Sequence, residues 1–390
     1  ERTMNRLSVG IVGVGYIGQK HIAALRRIGG IEIVAIADAN TELVQSVAQK
    51  MDVPRVFRSV DEMLVACRPD VVHVCTPTAL HYEVSRKAVE AGCHLYCEKP
   101  LTVSVSDAEA LADLLKDKHV ANGVNFNYRM NALAQEMHER ITRGEAGRVF
   151  LVSGAYLQDW MLREDDYDWR LEPELGGPAR ALSDIGSHLF DLCQYAVGQR
   201  IVAVNACTRI VHPVRHHYEK RGGTFSSEKG EFLGDVTVCN EDEAIVLVRF
   251  ADGLEGTLQV SQVAAGHKND LRLRIDTENC SFEWGQERSD LLHIGRRDAP
   301  NEVLYREAAA VHENVRQYSH LPVGHTEGWN DAICIALEAF YRAIREGSYA
   351  DEKMPYATVN DGVWVMKIID ACLKSSASNC WIDVKTGGRL

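Results

Sequence analysis

The sequence predicts an α/β chain of two domains. The first carries a parallel sheet covered by helices on both faces, and the second is an α+β domain with a large antiparallel sheet. Three features predict this. The first third alternates short apolar runs with amphipathic stretches, the rhythm of β-α-β units. Beyond Arg129, strand-like runs follow one another without helices between them. The 390 residues exceed one ordinary core and suit two domains.

In chain order, the apolar runs Leu7–Val12, Ile31–Ala37, Val71–Cys75, His94–Cys97 and Val120–Asn125 read as strands. Helical periodicity falls between them at Ile17–Ile28, Thr41–Met51, Ala79–Ala91 and Ser104–Asp117. Gly29-Gly30 and Ala91-Gly92 supply helix stops. A helix over Ala132–Arg143, a strand over Val149–Leu157, a Trp-bearing loop and a helix around Ser183–Val197 follow. Strands are then expected at Ile201–Val211, Glu243–Phe250, Glu255–Val263, Leu271–Asp276 and Cys280–Trp284, with Asp252-Gly253 as a hairpin turn. Helices over Glu327–Arg345 and Thr358–Leu373 close the chain. The expected boundary separates residues 1–128 from 129–390, with the helix over 358–373 packing back on the first domain.

Hydrophobic residues make up 46% and charged residues 25%, which excludes disorder and fibres. A net charge of −12 argues against nucleic acid or an anionic membrane as partner, since both select clustered Lys and Arg. The one basic knot, Arg215, His216, His217, Lys220 and Arg221, contains Glu219 and reads as a solvated loop. No apolar run is long enough to span a bilayer, and the start lacks a signal-peptide core, so a cytoplasmic protein is expected. Eleven cysteines, an odd number scattered through apolar stretches, read as reduced, buried thiols. Cys93 and Cys97 have no second pair to complete a zinc site.

Gly13-Val14-Gly15-Tyr16-Ile17-Gly18 follows the first strand and opens a helix. The first glycine permits the turn, the second admits a pyrophosphate, and the third lets helix and strand pack. The helix N-terminus then offers free N–H groups to phosphate. Alone this pattern marks only a tight turn. The second strand, however, ends at Asp38, about 20 residues on, where a carboxylate meets the ribose. Asp38 would repel a 2′-phosphate, and Ala39-Asn40-Thr41 offer no Arg to hold one, so NAD is expected over NADP. Thr76, Pro77 and His81 are placed at the nicotinamide side, with Glu98 and Lys99 at the next strand end.

Two segments suggest chemistry. Glu98-Lys99-Pro100 lies past a parallel strand, on the edge where such sheets bind ligands. Asp184 and His188, four apart on a predicted helix, share a face. Taking hydride from an alcohol requires that the hydroxyl proton leave as well, and histidine is the natural base near neutral pH. An aspartate orients the imidazole, and a lysine steadies alkoxide character. By spacing alone a lysine before proline is usually a surface residue at a turn, and an Asp–His pair one helical turn apart is more often a surface pair, or sometimes half of a metal site.

Taken in order, Gly13-x-Gly15-x-x-Gly18, Glu98-Lys99-Pro100, Asn125-Phe126-Asn127-Tyr128-Arg129, Gly176-Gly177 and Asp184-x-Gly186-x-His188 span nearly the whole chain. The chain thereby resembles the glucose–fructose oxidoreductase / inositol dehydrogenase / rhizopine catabolism protein family (Gfo/Idh/MocA). The resemblance implies a Rossmann domain joined to a domain with a large, mostly antiparallel sheet. It implies Lys99, Asp184 and His188 as the catalytic set, with His188 the proton acceptor; no metal is expected, since Asp184 and His188 would need a third ligand. It also implies a homodimer or homotetramer through the open sheet face. The segments Gln158-Asp159-Trp160, Gly176 to Ala181 and His325 to Trp329 look like a subgroup of that family acting on levoglucosan, scyllo-inositol or L-glucose.

A polyol needs many hydrogen-bonding side chains and an aromatic wall. Besides the catalytic set, the candidates are Tyr128, Arg129, Gln158, Trp160, Arg163, Arg180 and His325. Tyr156, Tyr167 and Trp169 read as packing, and His73 as structural. Two alternatives share the fold. One is a sugar oxidoreductase or glycosidase that retains and recycles its NAD, less expected because no N-terminal extension wraps the nucleotide. The other is a non-catalytic nucleotide sensor, which would need none of Lys99, Asp184 and His188.

Overall fold

The computed structural model describes residues 6–220, 229–349 and 354–390, so Arg221 of the basic knot lies outside them. The chain divides into two compact units. One is built on the chain up to Asn127 with Ile333–Met366, the other on Tyr128–Ala332 with Lys367–Leu390. The expected cut is at 128/129 with the helix over 358–373 packing back; the return segment begins earlier, at Ile333. Ile333, Leu337, Phe340 and Tyr341 are buried, Cys334 Sγ contacts the Ala24 carbonyl, and Val124 N donates to the Ala357 carbonyl at 2.8 Å.

The first unit runs β1 (Leu7–Val12), α1 (Tyr16–Leu25), β2 (Ile31–Ala37), α2 (Thr41–Lys50), β3 (Val56–Phe57), α3 (Val60–Cys67), β4 (Val71–Val74), α4 (His81–Glu90), β5 (His94–Cys97), α5 (Val105–Lys116) and β6 (Asn122–Val124). All six strands are parallel, in the order β3-β2-β1-β4-β5-β6. Val9, Ile11, Ile36, Val72 and Val74 are wholly buried, as strands covered on both faces require. The strand order reverses between β1 and β4, and at that switch point the carboxyl ends open a crevice for ligand. The sequence did not announce β3 or α3. A two-residue strand shows no periodicity, and α3 is marked chiefly by its cap, Ser59 Oγ accepting from Glu62 N.

The second unit runs α6 (Ala132–Thr142), β7 (Val149–Leu157), α7 (Pro173–Gly176), α8 (Ser187–Val197), β8 (Ile201–Arg209), β9 (Val214–Lys220), β10 (Lys229–Thr237), β11 (Glu243–Phe250), β12 (Glu255–Ser261), β13 (Asp270–Thr277), β14 (Ser281–Gly285), β15 (Leu291–Gly295) and β16 (Glu302–Tyr305). After α9 (Trp329–Glu346) and α10 (Val359–Ser378), which both units share, β17 (Ile382–Asp383) completes it. Nine of these strands form one sheet ordered β16-β15-β14-β13-β7-β12-β11-β8-β17. It is mostly antiparallel, with β7 parallel to β12. Strands β9 and β10 went unanticipated because charged and polar residues interrupt their apolar pattern, and β15 and β16 because they are only 5 and 4 residues long. Of the supposed solvated loop, Arg215 to Lys220 lie on β9, which pairs with β10, and Arg215 is fully buried with Nη2 2.6 Å from Asp242 Oδ1.

Burial alternates along β11: Ala244, Val246, Val248 and Phe250 point inward, while Ile245 and Leu247 are exposed. On the inner face α8 packs close to β7, since a Cβ at Gly154 would come 2.8 Å from Leu189 Cδ1. All eleven cysteines are free, and Cys207 and Cys239 are exposed rather than buried. Among the described residues, no helix is long and apolar enough to cross a membrane.

Candidate active site

The glycine turn joins β1 to α1. Gly13 has φ +89°, and a Cβ there would lie 2.5 Å from the Cys75 carbonyl and 2.6 Å from Thr76 N. A Cβ at Gly18 would collide with the Gly13 carbonyl oxygen, whereas one at Gly15 would meet open space. The backbone is thus closed against protein at Gly13 and Gly18 and open to a ligand at Gly15. Tyr16 and Ile17 begin α1, and Tyr16 lies exposed with Lys20 Nζ 5.2 Å from its ring centre. Asp38 follows β2. Its Oδ2 accepts from Val14 N and its Oδ1 from Asn40 N, each at 2.9 Å. The carboxylate braces the glycine turn and keeps lone pairs for ribose hydroxyls. Thr76 Oγ1 is buried without a hydrogen-bond partner, a polar atom that a bound group would satisfy. Together these residues fit NAD.

At the end of β5, Glu98 is buried and accepts three N–H groups. They come from His21 Nε2 at 2.9 Å, Asn125 Nδ2 at 2.6 Å and Lys99 backbone N at 3.0 Å. Burial alone would raise its pKa, but His21, Lys99 and Asn125 outweigh it and hold the carboxyl down at about 2. Lys99 is half-buried and precedes a cis peptide to Pro100. His81 is buried, with Nδ1 2.9 Å from the Pro100 carbonyl and Nε2 2.9 Å from that of Thr76. Glu98 and His81, both expected beside the cofactor, turn these polar atoms to protein partners. They fix the loops that carry Thr76 and Lys99.

In the second unit a π-helical turn, Leu182–Gly186, leads into α8. The segment bearing Asp184 is therefore not the simple α-helix its spacing suggested, and such wide turns recur at functional sites. Glu241 caps its start, with Oε1 accepting from Arg180 N at 3.0 Å and Leu182 N at 2.8 Å. Burial pushes Glu241 up to about 7 despite these N–H groups. Asp184 Oδ2 accepts from Gln262 Nε2 at 2.8 Å, and its Oδ1 lies 3.2 Å from Arg170 Nε. His188 is buried, with the Tyr128 ring edge-on at a centroid separation of 4.7 Å.

A row of polar groups continues from Tyr128. Its hydroxyl is 2.8 Å from that of Tyr156, which donates to Asn269 Oδ1. Gln158 Nε2 donates to the same Oδ1 at 3.2 Å, and Gln158 Oε1 accepts from Trp160 Nε1 at 2.7 Å. Burial raises Tyr128 to about 12 and lifts Tyr156 well above the usual phenol range, so both remain neutral hydroxyls. Tyr156, assigned to packing by sequence, belongs to this row.

The three arginines and the histidine expected at substrate have the following surroundings. Arg129 is buried in an ion pair with Asp191 and lies over Tyr195. Arg180 is buried in an ion pair with Asp242, its Nη1 3.2 Å from Gln262 Oε1. Arg163 is exposed, and its carbonyl accepts from Arg215 Nη1 at 2.7 Å. His325 is exposed, with its carbonyl held by Arg306 Nη2 at 2.7 Å. Sequence reasoning missed Gln262, Asn269 and Arg170. The available signal was weak: Gln262 and Asn269 are polar residues abutting the ends of β12 and β13. Among the described residues, no group of three or more His, Cys, Asp or Glu is placed to hold a metal ion.

A glycine turn at the switch point of a parallel sheet, with Asp38 at the next strand end, defines an NAD-binding oxidoreductase of Rossmann type. The chain belongs to the Gfo/Idh/MocA oxidoreductase family. Residues 7–126 match the profile described as "Oxidoreductase family, NAD-binding Rossmann fold", and residues 134–283 match the GFO/IDH/MocA C-terminal domain. Levoglucosan dehydrogenase of Pseudarthrobacter phenanthrenivorans is 29% identical over 98% of this chain and 99% of its own. D-glucoside 3-dehydrogenase of Escherichia coli is 29% identical over 64% of this chain and 69% of its own. Among solved structures, levoglucosan dehydrogenase in complex with NADH and L-sorbose superposes with a TM-score of 0.87. It is 28% identical, covering 97% of this chain and 99% of that one.

Proposed function

We propose that this protein is an NAD-dependent dehydrogenase that oxidises a secondary hydroxyl of a cyclic sugar or cyclitol, of the levoglucosan, inositol or L-glucose type. The observation that carries the reading is the polar row Gln158, Asn269, Tyr156 and Tyr128 ending on the buried ring of His188. Such a row offers several donors and acceptors to a ligand with many hydroxyls, and Trp160 bonded to Gln158 adds an aromatic surface. The similarity to levoglucosan dehydrogenase over nearly the full length of both chains supports the same class.

NAD, when bound, supplies the hydride acceptor. The protein's task is to hold the sugar and take the hydroxyl proton. In this reading His188 accepts that proton at a ring nitrogen, and Asp184 stabilises the resulting imidazolium. Lys99 stabilises negative charge developing on the substrate oxygen. Tyr128 and Tyr156 stay protonated at neutral pH, so they bind and orient rather than exchange protons.

The test is reduced-nicotinamide absorbance with NAD and a panel of levoglucosan, scyllo- and myo-inositol, and D- and L-glucose. Turnover of one member is expected, with His188→Ala abolishing it while NAD binding stays near normal. A fully active His188→Ala enzyme overturns the mechanism. NAD binding with no turnover of any sugar favours a sensor.

A further inference from the structure

Behind Glu98, in the first unit, lies a buried chain of hydrogen bonds that cofactor binding does not require. His21 Nδ1 is 2.8 Å from His73 Nδ1, and His73 Nε2 is 2.8 Å from Tyr341 OH. His21 Nε2 completes the line to Glu98 Oε1. Both histidines are wholly inaccessible to solvent.

The direction of the donors follows from satisfaction. Glu98 Oε1 also accepts from Asn125 and, as a carboxylate, must accept from His21 Nε2–H. A neutral His21 then has a bare Nδ1, which His73 Nδ1–H must fill. His73 Nε2 is left as an acceptor for the Tyr341 hydroxyl. The reverse order, with His21 donating from both nitrogens, would leave the Tyr341 O–H without an acceptor among the described residues. Every donor thus points towards Glu98, which in turn accepts the Lys99 backbone N–H.

We propose that His21 is a positioning residue of the dehydrogenase site, fixing through Glu98 the loop that carries Lys99 relative to α1, whose first turn meets the cofactor. His73 and Tyr341 lock its ring and tautomer. The chain does no proton transfer to solvent, because it ends on a buried phenol. Removing a partner of this kind displaces the residue it holds, and displacements of about 1 Å at reacting groups cost about a hundredfold in rate. The proposal rests on Lys99 belonging to the reacting site.

The experiment compares His21→Phe with His21→Gln, whose side-chain amide keeps a donor for Glu98 but ends the bond to His73. For the panel sugar giving the highest wild-type rate, His21→Phe is expected to lower kcat tenfold to about a hundredfold. NAD affinity should hold within about threefold, and His21→Gln should recover most of kcat. Equal kcat in the two variants, or a loss of NAD binding as large as the loss of kcat, overturns the proposal. If in the same assays His188→Ala is inactive, that overturning leaves the proposed function standing. Should His21→Phe fail to fold, nitrogen-15 NMR of histidine-labelled wild-type protein reads the chain directly. His73 is expected as the Nδ1–H tautomer and His21 as the Nε2–H tautomer, both slow to exchange. Any other assignment overturns the proposal.

Discussion

Replacing Gln262 with leucine tests how Asp184 is held. Gln262 is completely buried one residue beyond β12. It donates to Asp184 Oδ2 at 2.8 Å and accepts from Arg180 Nη1 at 3.2 Å. Leucine fills most of the same volume, so the cavity term is small. Both lost bonds involve charged partners, each contributing about 1.5–3 kcal/mol, and Arg180 Nη1 stays buried without that acceptor. A stability loss of about 3 kcal/mol is expected by urea denaturation. Asp184, without the Gln262 donor, would hold its orientation against Arg170 less well, and kcat should fall by about tenfold, or ~1.4 kcal/mol of barrier. NAD affinity should stay unchanged, since the bonds lost are to Asp184 and Arg180, not to the glycine turn. A folded Gln262→Leu enzyme with full kcat would refute the idea that this amide orients the aspartate.

Asp38→Ala removes the acceptor for Val14 N and Asn40 N along with the ribose contact. The NAD Kd should rise by about a hundredfold and the preference over NADP should narrow; calorimetry showing an unchanged NAD-to-NADP ratio would refute the role. Glu241, raised by burial to about 7 from an ordinary 4.5, holds its proton longer folded than unfolded. Its contribution to stability is therefore complete below about pH 4.5 and is lost as pH rises through 7. Glu241→Gln keeps the oxygen that caps Leu182 and should flatten that fall by about 3 kcal/mol, read from denaturation at about pH 5 and about pH 8. Ile245→Glu with Leu247→Glu charges the exposed face of β11. If the protein associates through that face, light scattering should show a dimer or tetramer falling to a monomer, and an unchanged mass would exclude it.

The first unit was legible in the sequence because its rules are local. A parallel strand buried on both faces is a continuous apolar run, a glycine turn must use glycine where a Cβ would strike Cys75 or the Gly13 carbonyl, and Asp38 sits at a fixed spacing behind it. The order of the motifs likewise sufficed for the family, and the strands around Asp252-Gly253 for an antiparallel sheet. What an arginine touches is not local. Arg129, Arg163 and Arg180 look alike as candidates, yet two are neutralised inside the protein by Asp191 and Asp242, 62 residues away in each case. A buried guanidinium must have such a partner, and only the packed chain chooses which carboxylate supplies it. The same holds for Gln262 on Asp184, Asn269 on Tyr156 and His21 on Glu98. Sequence periodicity decides which faces turn inward, but the pairing of polar atoms once water is excluded is decided by tertiary structure, because each buried donor must find an acceptor wherever the fold brings one.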